Sequence, residues 1–468
     1  MKNLSCRKIN FSNIKDIGQH LPALTSEKTL DQWLSWLQQL HPSTIDLSLQ
    51  RIHLVAKRLD LLQSSSSISH QHSASFNSQI NNRKVHVVTV AGTNGKGSCV
   101  HTLEQLLLLT GHSVGAYTSP HFSNYHERIR INGRAVSDQL ICQAFVVIEA
   151  VRENVSLTYF EFSTLAALWI FKQQAVSYVL LEVGLGGRLD AVNIIDPDVA
   201  VITSIDLDHQ EWLGHDRNTI SREKLGIART GRPLVIAETR LTPHMIEASK
   251  NYLCLLADRD FHIQAVDTER SILYCPNYPQ GIGVTRLNLT ASSVLAALCA
   301  SHFLSLELPV EDIEKLLPTL ELPGRFDQQR VSGKRVILDV AHNPAAAIQL
   351  SKRLVSMPVK GRTVAVVAIM ANKDIPSMLS VLFDQIEHWY LGGLQNNSRA
   401  ASASDLAHYL SGERCSVSQF SSAEDAFNEA LFTITEDDRI VVFGSFFTVS
   451  AVQSVIETLR TQSGLGVS

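Results

Sequence analysis

The chain has 468 residues, 45% of them hydrophobic and 18% charged, with a formal net charge of −4. That length exceeds the roughly 250–300 residues at which one hydrophobic core stops growing, so two domains are expected. The composition is that of a globular enzyme: no basic stripe suits a nucleic acid, and no apolar run reaches the roughly 18 residues that span a bilayer. Seven scattered cysteines without a Cys-x-x-Cys argue against a disulfide framework or zinc site. The first residues lack the apolar stretch of a signal peptide, so a cytoplasmic location is expected.

Residues 29–62 carry helical spacing, with Trp33, Leu34, Trp36 and Leu37 and then Leu54, Val55, Leu59 and Leu62, broken at His41-Pro42-Ser43. Residues 63–83, rich in Ser, Asn, Gln and His, read as an exposed flexible insert, with His70 and His72 solvated rather than a metal tract. A β-branched strand at Val87–Val90 then runs through a glycine turn into a helix with Val100, Leu103, Leu106 and Leu107 on one face. Further strands are predicted at Ser113–Thr118, Ser177–Val183, Val199–Ile205 and Pro233–Ala237, alternating with helices such as Ser163–Lys172. Several are continuous apolar runs, as in a sheet covered on both faces. Residues 260–290 suit short antiparallel strands, and Ser293–Leu304 and Val310–Leu317 suit helices. Leu322-Pro323-Gly324-Arg325 breaks the pattern. A second alternation begins at Arg335–Asp339 and continues with strands at Thr363–Met370, His388–Leu391 and Arg439–Gly444. The reading is α/β and doubly wound: a first domain to residue 322, a linker at 323–333 and a smaller α/β domain over 334–468.

The turn Gly92-Thr93-Asn94-Gly95-Lys96-Gly97-Ser98 is the most informative stretch. A strand, a glycine turn and a helix N-terminus build an anion cradle from backbone N–H groups. Lys96 adds a point charge, and Ser98 can place its hydroxyl on Mg²⁺. The spacing is not Gly-x-x-x-x-Gly-Lys-[Ser/Thr]: Val90 stands at the first glycine, and Gly97 separates Lys96 from Ser98. An ordinary α/β turn is the bland alternative; a lysine and a hydroxyl after a clean strand favour a nucleotide. Cys99 reads as a small helix residue, not a nucleophile.

Three more clusters fall at predicted strand ends, where open α/β sheets bind ligands. They are Thr118-Ser119-Pro120-His121, the run Leu180–Asn193, and Thr203–His209. An acid ending an apolar strand is costly unless charge or metal compensates it, so Glu182 suits a cation. His209, alone, reads as a hydrogen-bonded turn histidine. Among these strand ends it can converge with Glu182, Ser98 and Ser119 on one ion, although Mg²⁺ prefers oxygen ligands. Lys224, beside Glu223 and apolar neighbours, reads by itself as a solvated or snorkelling side chain.

These motifs resemble the Mur ligase superfamily in its folylpolyglutamate synthase branch, and within that branch the bifunctional bacterial dihydrofolate synthases. The resemblance runs from about residue 29 to 460. It rests on Gly92–Ser98, Thr118–His121, Glu127-Arg128-Ile129-Arg130, Leu157–Phe162, Glu182–Asn193, Asp208-His209 through Glu223-Lys224, and Leu322–Phe326. The second domain adds Asp339–Pro344, Asn372-Lys373-Asp374 and Phe443–Val449. It implies a fold of Mur-ligase type, with a P-loop ATP-binding domain and a smaller Rossmann-like domain for glutamate. The implied activity is ATP-dependent addition of L-glutamate to 7,8-dihydropteroate and extension of folates to polyglutamates through an acyl phosphate. A folylpolyglutamate synthase without dihydropteroate activity is the alternative.

The resemblance also implies roles. ATP would meet Gly92 through Ser98, with Thr290, Arg325 and Asp339. Mg²⁺ would take Ser98, Glu182 and His209, with Ser119 at a second ion. Dihydropteroate would lie against Thr158, Tyr159, Phe160, Glu161, Leu189, Asp190 and Ala191, for which core packing is the plain alternative. Lys96 would offset charge, Lys224 would be carbamylated, and His342 would stand near the reacting carboxylate or the incoming glutamate. Three positions depart from the family pattern: Thr290 stands where an adenine-reading asparagine is usual, Asn372 replaces an aspartate, and Val340 replaces a glycine. Small-molecule partners only, no nucleic acid, no membrane and a monomer are expected.

Overall fold

The structure is a computed structural model. It describes residues 27–63, 74–76, 84–267, 270–394, 397–412 and 415–462. Its centre is a sheet of eight strands in the spatial order Leu253–Leu256, Pro233–Ile236, Val199–Ile202, His86–Ala91, Tyr178–Glu182, Val114–Tyr117, Ile129–Ile131 and Arg134–Ala135. The first six run parallel, and the last two are added through antiparallel pairings. The strands alternate their side chains between two cores. Val87, Ala91, Val179 and Leu181 face the helices Leu30–Leu40, Gln50–Arg58, Asp138–Arg152 and Tyr159–Gln173. Val88, Val90, Leu180 and Val201 face the helices Lys96–Leu109 and Ala291–Phe303. Burial on both faces explains the continuous apolar runs.

An antiparallel meander of His262–Ala265, Arg270–Cys275 and Tyr278–Thr285 packs on the second of these cores, as the 260–290 region suggested. The second sheet has the order Asp327–Val331, Lys334–Leu338, Arg439–Phe443, Thr363–Val367, His388–Leu391 and Ser416–Gln419. Only its first pair is antiparallel. Part of the stretch expected as a linker, 327–331, is therefore an edge strand. Its Asp-Gln-Gln-Arg-Val sequence is polar at every position but the last, as an edge strand tolerates, so no hydrophobic alternation marks it. Within the expected insert, Gln63 and 74–76 are described; Leu62–Gln63 pairs antiparallel with Ser75–Phe76. The rest of that insert, with His70 and His72, lies outside the described residues.

Strand His86–Ala91 lies between Val199–Ile202 and Tyr178–Glu182, while the chain crosses from it to Val114–Tyr117. This reversal opens a crevice at the carboxyl ends of the central strands. Glu104 on the helix after the glycine turn is fully buried and takes Arg130 Nη2 at 2.8 Å and Nε at 3.1 Å. Arg130 also donates to Thr118 Oγ1 at 3.0 Å, so this pair ties the helix to the Thr118–His121 turn. Glu104→Ala leaves the partly buried Arg130 without its counter-ion and should cost about 3 kcal/mol in urea unfolding. The double variant Glu104→Ala/Arg130→Met should recover most of that loss.

Candidate active site

The glycine turn is laced to the end of the neighbouring strand. Thr93 N–H donates to the Ser204 carbonyl at 2.8 Å, and Asn94 N–H to Ser204 Oγ at 2.9 Å. Gly92 has φ +155°, and a Cβ there would lie 1.9 Å from Thr203 Oγ1. Gly95 has φ +84°, and a Cβ there would lie 2.3 Å from Ser293 Oγ. Side chains are excluded at both by left-handed backbone and close approach. The loop opens directly onto the Lys96–Leu109 helix N-terminus, as an anion cradle requires. Lys96 Nζ folds back onto the carbonyls of Gly92 at 3.1 Å and Thr93 at 3.3 Å, and burial lowers its pKa.

Glu182 ends its strand beneath the loop: a Cβ at Gly97 would be 3.6 Å from Glu182 Oε2. The carboxylate is 4% exposed, accepts the Ser119 N–H at 3.1 Å, and has its pKa raised by burial. Ser98 is buried on the same helix turn. His209 has φ +50° and stands at the start of the short Gln210–Leu213 helix. Its side chain is 43% exposed, yet desolvation and the neighbouring Lys373, His342 and Lys96 lower its pKa to about 4 despite Asp208, so the imidazole is neutral. A buried carboxylate with one hydrogen bond, two serines and a neutral imidazole are donors that fit a divalent cation.

Lys224 is buried on the Arg217–Leu225 helix, and its Nζ donates to the Gly92 carbonyl at 3.0 Å. Burial, and then the charge of Lys96, lower its pKa to about 7. The glycine run fixes its place: a Cβ at Gly187 would meet the carbonyls of Glu223 at 2.8 Å and Lys224 at 2.9 Å. Lys224 is thus neither solvated nor snorkelling. Cys99 is fully buried and its thiol is pushed up by burial, which agrees with a packing role.

Thr158 caps the Tyr159–Gln173 helix, accepting the Glu161 N–H at 3.2 Å while Glu161 Oε2 accepts the Thr158 N–H at 2.8 Å. Glu161 also pairs with Arg51 at 3.3 Å, so its carboxylate first serves this cap and ion pair. Tyr159 and Phe160 are half-buried: Arg128 lies 5.6 Å from the Tyr159 ring, and a Cβ on Gly184 would touch Phe160. Phe162, by contrast, is wholly core. Asp190 is buried, accepts the N–H groups of Leu185 at 2.8 Å and Val192 at 3.1 Å, and burial raises its pKa to about 6. Ala191 is buried beside it, and Leu189 is half-buried.

The second sheet turns its own carboxyl ends to this crevice. Asp339 Oδ2 accepts the Phe326 N–H and Oδ1 the Ala341 N–H, both at 2.9 Å. Arg325 lies 4.8 Å from the Phe446 ring, and its buried Nη1 has no hydrogen-bond partner among the described residues. Thr290 begins the Ala291–Phe303 helix and bonds Ser293 at 2.7 Å, beside Gly95. Asn288, the asparagine two residues before Thr290, places Nδ2 on the Pro318 carbonyl at 3.0 Å.

Three residues were missed as site candidates. Asp208 accepts Asn343 Nδ2 at 3.1 Å, pairs with Lys373, and lies 3.3 Å from His342 Nε2. Asn343 also exchanges hydrogen bonds with Asn94 of the glycine turn at 3.0 and 3.1 Å. Burial alone would raise the Asp208 carboxyl, but the contact with His342 and then the Lys373 ammonium hold it well below the usual range. Asp208 stood in the Thr203–His209 run, but six residues past the end of strand Val199–Ile202, whereas Glu182 is itself the last residue of its strand.

The Mur ligase middle domain model matches residues 90–252, and the Mur ligase glutamate ligase domain model matches 324–446. The dihydrofolate synthase/folylpolyglutamate synthase of Escherichia coli (strain K12) is 40% identical over 444 residues, 92% of this chain and 96% of that protein. The protein of the same name from Haemophilus influenzae is 34% identical over 456 residues, 93% of this chain and 99% of its own length. Among solved structures, E. coli FolC in complex with DHPP and ADP superposes with a TM-score of 0.82 at 37% identity, covering 93% of this chain and 99% of that one. The Yersinia pestis bifunctional enzyme complexed with AMPPNP and Mn ion gives 0.80 at 39% identity, covering 92% and 99%. With the glycine turn, the strand-end acids and both sheets in place, the chain belongs to the Mur ligase superfamily, in its dihydrofolate synthase/folylpolyglutamate synthase family.

Proposed function

We propose that the chain is an ATP-dependent amide ligase that joins L-glutamate to 7,8-dihydropteroate and lengthens the glutamate tail of folates. The observation that carries this reading is the meeting of the two sheets' carboxyl ends. There a phosphate-type loop, two lysines and the unpartnered Arg325 Nη1 face one crevice. Such a crevice can hold a triphosphate and a carboxylic acid in line.

A carboxylate oxygen of the pterin acid attacks the γ-phosphorus, and ADP leaves. The glutamate amine, having lost its proton, attacks the acyl carbon. The tetrahedral intermediate expels inorganic phosphate and the amide remains. The chain supplies position and positive charge. Backbone N–H groups of Gly92–Ser98 cradle phosphate oxygens, and Lys96 and Arg325 offset charge on the transferring group. Thr290 borders the nucleotide, and Asp339 fixes the turn that carries Arg325. Ser98, Glu182 and His209 would hold Mg²⁺, with Ser119 at a second ion; bound Mg²⁺ neutralises phosphate oxygens. Tyr159 and Phe160 pack the pterin-aminobenzoate body between Leu189 and Ala191, and Glu161 and Asp190 accept its N–H donors. His342 stands at the entry of glutamate. The segment around 323–326 serves as the hinge between a domain ending at 322 and a glutamate-binding domain that begins with the 327–331 edge strand. The protein acts as a cytoplasmic monomer on small molecules, without a nucleic acid or membrane partner.

Lys224 carries a carbamate. Its neutral amine adds to CO₂, releasing one proton, and the resulting anion replaces a destabilising cation beside Lys96. With a pKa near 7, the amine is mostly protonated below neutrality and mostly neutral above it. Enzyme held at pH 6 in CO₂-free buffer should therefore lose activity, and bicarbonate at pH 8 should restore it. A carbamate resonance should grow in with ¹³C-bicarbonate and be absent in Lys224→Ala. Lys96→Ala should lower glutamate-dependent phosphate release by roughly 100-fold or more while the protein stays folded. The reading as a whole is tested with dihydropteroate labelled with ¹⁸O in its carboxyl group: the label must appear in the released phosphate, and its absence would sink the acyl phosphate.

A further inference from the structure

Asp208 is 8% exposed and sits on the first domain, in the loop that follows strand Val199–Ile202 and carries His209. Its acceptor positions are filled. Oδ1 takes the His209 N–H at 2.8 Å and the Lys373 ammonium. Oδ2 takes Asn343 Nδ2 at 3.1 Å and faces His342 Nε2 at 3.3 Å. Three of these four groups belong to the second domain. They come from two separate loops, after strands Lys334–Leu338 and Thr363–Val367. The His342 ring is fixed from its other side, where Nδ1 lies 2.8 Å from the Val340 carbonyl. Asn343 caps the Pro344–Val355 helix through Oδ1 on the Ala346 N–H at 2.9 Å, so its amide is held while it bonds both Asp208 and Asn94.

We propose that Asp208 is a positioning residue: one buried carboxylate docks the second domain on the phosphate loop and sets His342 and Lys373 for the amino-acid substrate. Separation of the domains would strip Asp208 of its cross-domain donors and leave two basic side chains without their counter-ion. Such an interaction is strong only when all partners are in register, so it selects one docked geometry. In that geometry Lys373 and His342 stand at the carboxyl ends of the second sheet, where a dicarboxylate amino acid would enter. Asp208 touches neither the phosphate loop nor its nucleotide by itself; it acts through the groups it holds. This inference rests on the ligase reading above only for the identity of the amino acid.

The test uses the full chain. Without any substrate, amide exchange over 340–346 and 371–376 should speed up by about tenfold or more in Asp208→Asn. In steady state, the glutamate KM should rise by about tenfold or more, while AMPPNP affinity measured without glutamate stays within about twofold. Lys373→Met should reproduce the exchange effect, and the double variant should be no worse than either single. Should Asp208→Asn not fold, Lys373→Met reads the same contact from the other side, and the double variant removes both charges. Unchanged exchange, additive single effects, or an AMPPNP loss parallel to the glutamate loss would each overturn the proposal. Faster exchange in a chain that makes no glutamyl product would leave the docking role standing and sink the ligase reading instead.

Discussion

Two amines share one carbonyl. The Nζ atoms of Lys96 and Lys224 both donate to the Gly92 oxygen, at 3.1 and 3.0 Å, and that oxygen is aimed by a backbone angle only glycine adopts comfortably. Two ammonium groups this close, away from water, cannot both keep their charge cheaply. The deeper one yields: Lys224 titrates near neutrality. The surrounding acids answer the same imbalance. Glu182, Asp190 and Asp208 all lie near enough to act on Lys96, yet among the described residues no acid stands within ion-pair distance of it. The site therefore holds positive charge in waiting, which an anionic nucleotide would neutralise.

That charge is distributed across two domains, and this decides how the site closes. Asp339 joins the hinge turn to the second sheet by accepting the N–H groups of Phe326 and Ala341. Arg353 reaches back from the second domain to the Leu287 carbonyl at 3.2 Å while lying 3.8 Å from the Phe326 ring. Gly324 lies so close to Phe122 that a Cβ would stand 2.9 Å from its ring, at φ +67°. The hinge is thus packed against the first domain, and its movement requires that Phe122 and Val340 yield together. Ligand binding energy spent on such a movement would be recovered when Arg325 Nη1 finds a phosphate partner.

The parts of this molecule legible in the sequence are those whose cause is local. A β-branched run before glycines specifies the central strand and loop, and the apolar runs at 178–182, 199–202 and 439–443 specify buried parallel strands. Strand ends were overrun by one to three residues because apolar side chains continue into the turns, as at Ala368–Met370. Asp327–Val331 was read as linker because an edge strand needs no alternating pattern. Asp208, Asn343 and Lys373 escaped because their chemistry lies in contacts spanning 135 and 165 residues, which no spacing rule reaches.

The acids expected to read the pterin pose the sharper question, since the structure gives each a structural task. Glu161 closes a capping box and pairs with Arg51; Asp190 holds the turn Leu185–Val192. These tasks do not compete with recognition. A carboxylate has two oxygens and several lone pairs, and fixing some of them orients the rest. Glu161 Oε1, buried and held by the Arg51 ion pair at 3.3 Å, still has a lone pair to offer. Burial raises the pKa of both acids, so each gains by accepting a further N–H from a ligand. Tyr159 and Phe160 meanwhile are only partly buried at the same helix start. Preorganised acceptors beside half-covered rings are what a flat heterocycle with N–H edges needs, and the capping box is the device that holds them there.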